Sequence, residues 1–266
     1  MLRRVKDLEK CTIGGTDGSI GSVQDFYFDD ESWVIRYLVA DTGTWLQNRK
    51  VLISPHSIRD WGWEGNVVPV SITREQVRHS PDIDTKRPVS RQQEISYLGY
   101  YGYPYYWGGG GLWGPLYYPR VPWEGIEDPP AKSKIEAPGP EHEDPHLRSC
   151  NVVSHYFLHA SDGEIGHVQS YLIDEKSWAI RFLIVNTSNW WLGHQVLIAP
   201  EWIDSVSWLE ATVMSSLTRE AVRESPRYDP AATLDSAAEA RIYKHYGRAA
   251  YRNARPKSKV AWVHSQ

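Results

Sequence analysis

The chain has 266 residues, with Lys+Arg 29 against Asp+Glu 33 and a formal net charge of −4, long enough for one large domain or two small ones. The near-neutral balance excludes a surface built throughout to coat nucleic acid, and 41% hydrophobic residues at a mean hydropathy of −0.51 exclude a membrane bundle and a disordered chain. Cys11 and Cys150 alone cannot form the disulfide framework of a small secreted domain, and the opening MLRRVKDLEK lacks the apolar stretch of a signal peptide, so a cytoplasmic protein is expected.

Asp17-Gly18 matches the positive-φ preference of a tight hairpin turn. In the strand that follows, the apolar alternation slips between Val23 and Phe26, which predicts a bulge or barrel corner, helped by Gly21. Asp29-Asp30-Glu31-Ser32 is a polar reversal. Trp33 to Val39 is β-branched and aromatic, a strand with two apolar faces: Trp33, Ile35, Tyr37 and Val39 on one, Val34, Arg36, Leu38 and Ala40 on the other. One face should line a core and the other meet a helix or a neighbouring domain. Short strands are predicted at Val51–Ile53, Ser57–Trp61 and Val67–Ile72. Thr73 is the predicted N-cap of a short helix, with Gln76 in capping-box position and Ser80-Pro81 as its stop.

Next comes a segment of two characters. Tyr97–Trp123 holds eight Tyr, three Trp and seven Gly; Ile126–Pro145 is rich in Pro and acid and reads as a solvated linker. No charge occurs from Ile95 to Pro119, but its prolines and Gly108–Gly111 would leave backbone groups unpaired in hydrocarbon, so it does not span a bilayer. Tyr105, Tyr106, Trp107 and Trp113 are the candidates for partner binding. The competing reading packs these rings back onto the body of the protein as a strap.

The first elements then return. A shift of 145 positions aligns Asp17–Pro81 with Asp162–Pro226 without a gap: DGSIGSVQ with DGEIGHVQ, SWVIRYLV with SWAIRFLI, KVLISP with QVLIAP, TREQVRHSP with TREAVRESP. The predicted architecture is all-β: two small six-stranded barrels in tandem, each with a short helix, at residues 1–82 and 146–228. Residues 83–145 form the linker and 229–266 a basic, helical tail. In that tail Leu234, Ala238, Ile242 and Tyr246 recur at helical spacing, and no acid follows Glu239. Leu38 and its twin Leu183 are the candidates for contact between the barrels, which are expected to face each other as an intramolecular pseudo-dimer.

The pattern DGxIGxVxxxxxDxxSWxIRxL, followed by VLIxP and TREQVRHSP, resembles the PRC-barrel family, which includes the cytoplasmic barrel of the photosynthetic reaction-centre H subunit and the C-terminal barrel of ribosome maturation factor RimM. The resemblance implies the fold in both copies and no functional residue.

No catalytic set emerges. His155 and His159 lie in a predicted strand, about 13 Å apart at ~3.3 Å per residue. His142 and His146 stand among Glu141, Glu143 and Asp144, a weak candidate for a divalent cation. Asp17, Asp29, Asp162 and Asp174 fit turns, and Arg36 and Arg181 fit carboxylate caps. We therefore expect no enzyme, cofactor or metal, but a docking or assembly protein for other macromolecules. The resemblance implies two alternatives: a peripheral component of a photosynthetic or electron-transfer complex, with the aromatic segment at the membrane surface, and an RNA- or ribosome-associated factor, supported by the basic tail.

Overall fold

A computed structural model describes residues 1–59, 65–81, 89–107, 109–119, 146–187 and 193–249. The predicted Pro-rich acidic linker, His142 and part of the predicted strand at Ser57–Trp61 lie outside the described residues. β1 (Leu2–Arg4) and the short α1 (Val5–Leu8) open the chain. β2 (Thr12–Gly15) turns at Gly18 into β3 (Gly18–Asp29), which pairs antiparallel with β4 (Val34–Asp41), and β4 with β5 (Lys50–Ile53). β6 (Val67–Pro69) lies parallel to β2, and α2 (Arg74–His79) and α3 (Arg91–Tyr101) follow. The second copy repeats the order with one more strand among the described residues. It runs β7 (Leu147–Ser149), α4 (Cys150–Val153), β8 (Phe157–Ala160), β9 (Gly163–Asp174), β10 (Ile180–Asn186), β11 (Gln195–Ile198), β12 (Ile203–Ser207), β13 (Thr212–Ser215), α5 (Arg219–Arg223) and α6 (Ser236–His245). The added strand is β12, where the first copy shows only the isolated Ile58–Val70 bridge. The strands form two sheets, ordered β5-β4-β3-β2-β6 and β11-β10-β9-β8-β13-β12.

Local chemistry sets these elements. The turn aspartates Asp17 and Asp162 each accept a hydrogen bond from the first backbone N–H of the helix further on, Arg74 N and Arg219 N, tying hairpin to helix in both copies. Thr73 makes the predicted capping box with Gln76. The alternation slip in β3 is a bulge: the register jumps between Val23 and Asp25. At Gly21 and Gly166 an added Cβ would collide with the carbonyl oxygens of Asp41 and Asn186, so the strand bends only with glycine there.

The two copies are not separately completed barrels. β1 leaves its own copy and pairs with β9, Leu2 opposite Asp174. β7 leaves the second copy and pairs with β3, Leu147 opposite Asp29. This exchange is reciprocal, because each pairing maps onto the other by the 145-residue shift. A side-chain hydrogen bond pins each exchanged strand: Arg3 Nε donates to Glu175 Oε1 at 2.5 Å, and Arg148 Nε donates to Asp30 Oδ2 at 2.7 Å.

Between the exchanged strands the two β-turns meet. Val34 bridges Ala179, Ile35 N donates to Trp178 O, and Ile180 N donates to Trp33 O. Trp33 and Trp178 were expected to begin strands. Each instead sits just before its strand in left-handed conformation, at φ 54° and 60°, with its ring buried. That conformation costs an L-residue about 1–2 kcal/mol; here it aims both carbonyls across the junction.

Leu38 and Leu183 are fully buried, but Leu38 stands opposite Phe26 and Ile53, and Leu183 opposite Tyr171 and Ile198. In the first copy the opposite face, carrying Tyr37 and Leu52, is the one α3 covers: Tyr97 packs edge-on to Tyr37 and donates to Leu52 O. Leu38 therefore lies on the inner face. Contacts between the copies include Val34 with Ala179 and the Phe28–Tyr171 ring pair, Tyr171 standing directly opposite Leu183 in its sheet.

The repeat also extends further than the sequence boundaries place it. α3 and α6 begin at capped positions 145 apart, Ser90 and Asp235, and end at left-handed Gly102 and Gly247. The segment read as linker thus opens with the helix that the tail repeats. Among the described residues no helix is long and apolar enough to cross a membrane.

Candidate functional site

Polar chemistry concentrates under α3. The β3–β4 register passes from Tyr27–Tyr37 to Phe28–Ile35, leaving Arg36 as the extra residue of a bulge. Bulges re-aim side chains, and this one turns Arg36 to the side of its neighbour Tyr37. Arg36 is 1% exposed. Its Nη2 donates to Asp29 Oδ2 at 3.1 Å and Ser32 Oγ at 2.9 Å, and its Nη1 donates to Leu112 O at 2.6 Å. Its guanidinium lies 3.9 Å from the ring centre of Tyr106 and 4.7 Å from that of Trp113. Burial by itself would raise the Asp29 carboxyl, but Arg36 and His146 beside it hold it below the ordinary carboxylate value.

Glu94, fully buried on α3, collects the rest. It accepts from Tyr37 Oη at 3.0 Å, Tyr106 Oη at 2.5 Å and Arg91 Nη1 at 3.2 Å, and His146 Nε2 lies 2.9 Å from its second oxygen. Burial, reinforced by Glu94, pushes the Tyr37 and Tyr106 phenols well up, so both remain donors. His146, weighed in the sequence as a possible cation ligand, is committed to Glu94 and Tyr106.

The aromatic segment closes over this cluster. His56 is stacked on Tyr103 and edge-on to Trp113. Trp113 is buried, and its Nε1 donates to Ser177 O of the second copy at 2.8 Å. Of the four candidate partner-binding residues, Tyr106 and Trp113 are thus interior and have no surface to offer. Tyr105 and Trp107 are half-buried and stacked on each other, with Arg91 over Trp107. Leu116, Tyr117 and Tyr118, just beyond them, are partly exposed, as is Tyr100 on α3.

In the second copy Arg181 is again the residue skipped by the register, and it pairs with Glu239 of α6, the twin of Glu94. There Phe182 stands in the place of Tyr37, and with Trp202 it packs on Tyr243, whose hydroxyl donates to Glu201. The Asp29 and Asp174 side chains accept from the backbone of the turns they begin, the role their sequence positions suggested. His155 sits in the turn after α4 and not in a strand, with its ring at Asn151 O.

Chemically, the cluster is closed. Its cations and carboxylates face one another, both thiols are buried and pushed up by that burial, and no group of three or more potential metal ligands occurs among the described residues. Two groups nevertheless carry a pH signature. Burial outweighs Arg148 at Asp30 and raises it from 3.8 to about 7, whereas burial, with Arg36 nearby, lowers His56 from 6.5 to about 3. Between about 4 and 7 the folded chain holds the Asp30 proton that the unfolded chain has lost, so this term weakens stability as pH rises. His56 acts oppositely: the unfolded chain holds its proton from about 3 to 6.5, so this term strengthens stability as pH rises. The two slopes offset each other. Asp30→Asn should leave the His56 term, and urea midpoints of the variant should climb more steeply than those of the parent from pH 4 to 6.5. Parallel profiles would show that Asp30 does not titrate there.

Comparison with known proteins agrees with the first copy. Residues 2–70 match the PRC-barrel domain family. No curated protein matches the chain.

Proposed function

We propose that the chain is a tandem of two PRC-barrel-type units, the second beginning at the exchanged strand β7, and that the pair serves as a non-catalytic docking module for a protein partner. The family match supports the first unit; the 145-residue repeat and the corresponding order of strands support the second. One observation carries the docking reading. The charged groups of the Arg36–Glu94 cluster are consumed internally, while three consecutive large side chains, Leu116, Tyr117 and Tyr118, are partly exposed at the end of a segment anchored by Trp113. A rigid base under an exposed Leu-Tyr-Tyr tip suits recognition, because aromatic side chains bring contact area at small entropic cost.

The test is affinity capture from native cells with the full chain and with a Leu116→Ser, Tyr117→Ser, Tyr118→Ser variant, quantified by mass spectrometry. All three residues are partly exposed, so the unfolding free energy should change by only about 0.5 kcal/mol for each. The partner should be lost from the variant. Recovery of the same proteins by both forms would remove the tip from the interface.

A further inference from the structure

We infer that the outer face of α6 is a docking site for the phosphodiester backbone of a single-stranded nucleic acid, a surface separate from the Leu116–Tyr118 tip. α3 and α6 are one element present twice, and the two copies have kept the inner face. Glu94 and Glu239 both reach toward the bulged arginines' side of the sheet, Tyr101 matches Tyr246, and the helices end at Gly102 and Gly247. The outer faces have diverged. On α3 the exposed positions are Gln92, Ser96, Gly99 and Tyr100, all uncharged; the corresponding stretch of α6 exposes Ala237, Ala240, Arg241 and Lys244, with Arg248 just beyond its end. Packing cannot explain charge acquired only on the solvent side.

The geometry of the cations is one-sided. Arg241 and Lys244 are three residues apart on one face of α6, and Arg248 follows past the helix end, after the left-handed Gly247. No ion pair engages Arg241 or Lys244 among the described residues, and Arg248 is steadied by Ser216 Oγ at 3.2 Å. Glu239 carries the only side-chain carboxylate after Asp235, and it is turned inward onto Arg181. On neighbouring α5, which α6 meets through His245 Nε2 and Ala221 O, Glu220 and Glu224 both lie within ion-pair distance of Arg223. The sequence beyond continues in the same sign with Arg252, Arg255, Lys257 and Lys259.

These features favour a phosphate polymer over a bilayer. An interfacial helix needs an apolar face to insert, and α6 has spent its own: Ile242, Tyr243 and Tyr246 are buried, the two tyrosines against Trp202. What remains outside is alanine and positive charge, which suits electrostatic contact with phosphates without base readout.

The experiment is fluorescence anisotropy of a labelled oligouridylate with the full chain across a salt series. Each phosphate contact contributes about 0.7 to the slope of log affinity against log salt for a single strand, so three contribute about 2, or an about 20-fold loss between 50 and 200 mM. Arg241→Gln, Lys244→Gln, Arg248→Gln should weaken binding at low salt and flatten the slope by that amount. A control with Lys50, Arg59 and Arg78 of the first copy changed to Gln should keep the parental slope. Equal loss in the control, an unchanged slope in the α6 variant, or parental binding to phosphatidylserine vesicles without binding to the oligonucleotide would each overturn the inference.

Discussion

Trp113→Ala is expected to destabilise the chain by about 3–5 kcal/mol, the range for truncating a buried aromatic. Three losses coincide at this position. The indole packs edge-on to His56, covers Arg36, and donates across the junction to Ser177 O. Removing it therefore opens a void, uncovers a buried guanidinium and cuts a tie between the copies. Tyr117→Ala, four residues away and exposed, is the internal comparison and should stay within about 0.5 kcal/mol. Urea midpoints of the two variants separate the readings of the aromatic segment. Similar small effects would mean that the segment does not bear on the fold, and that its rings are all available to a partner. Iodide quenching gives an independent check, since a buried Trp113 should resist it.

The large features of the fold were legible because they rest on local chemistry. Asp-Gly turns, the capping box at Thr73, the glycine-assisted bulge in β3 and the presence of a helix in the tail, though not its start at Ser236, all arise from neighbours in sequence. The strand exchange was not. β1 and β7 are three residues each, Leu-Arg-Arg and Leu-Arg-Ser, too short and too polar for a period-two signal, and nothing local says which sheet they join. α3 was hidden for a different reason. Its buried side carries Glu94 and Tyr97, so it lacks the apolar stripe that announces a helix. A signal did exist: continuing the 145-residue shift beyond Pro81 aligns Glu94, Tyr101 and Gly102 with Glu239, Tyr246 and Gly247. The placing of Arg36 beside Tyr37 was out of reach, because strict alternation puts adjacent residues on opposite faces and the bulge cancels that rule.

Glu94 and Glu239 turn the duplication into a controlled experiment. Glu94→Gln is expected to cost about 3–5 kcal/mol, as breaking a buried, paired charge does. Glutamine keeps the shape but supplies a single acceptor oxygen and sets an amide N–H₂ among donors. Tyr37, Tyr106, Arg91 and His146 cannot all be served, and Arg91 is left with less compensation in a site where Glu94 is fully buried. Glu239→Gln, at the corresponding position, faces an easier change. Glu239 is only part-buried, at 17% side-chain exposure, burial already pushes its carboxyl upward, and Arg181 is its one charged hydrogen-bond partner among the described residues. A loss of about 1.5–3 kcal/mol, the range for a hydrogen bond to a charged group, is expected. Chemical denaturation of the two variants measures the difference directly. Equal losses would mean that the phenols around Glu94 add nothing beyond an ordinary Arg–Glu pair, and the aromatic segment would then be held by Trp113 and its ring contacts alone.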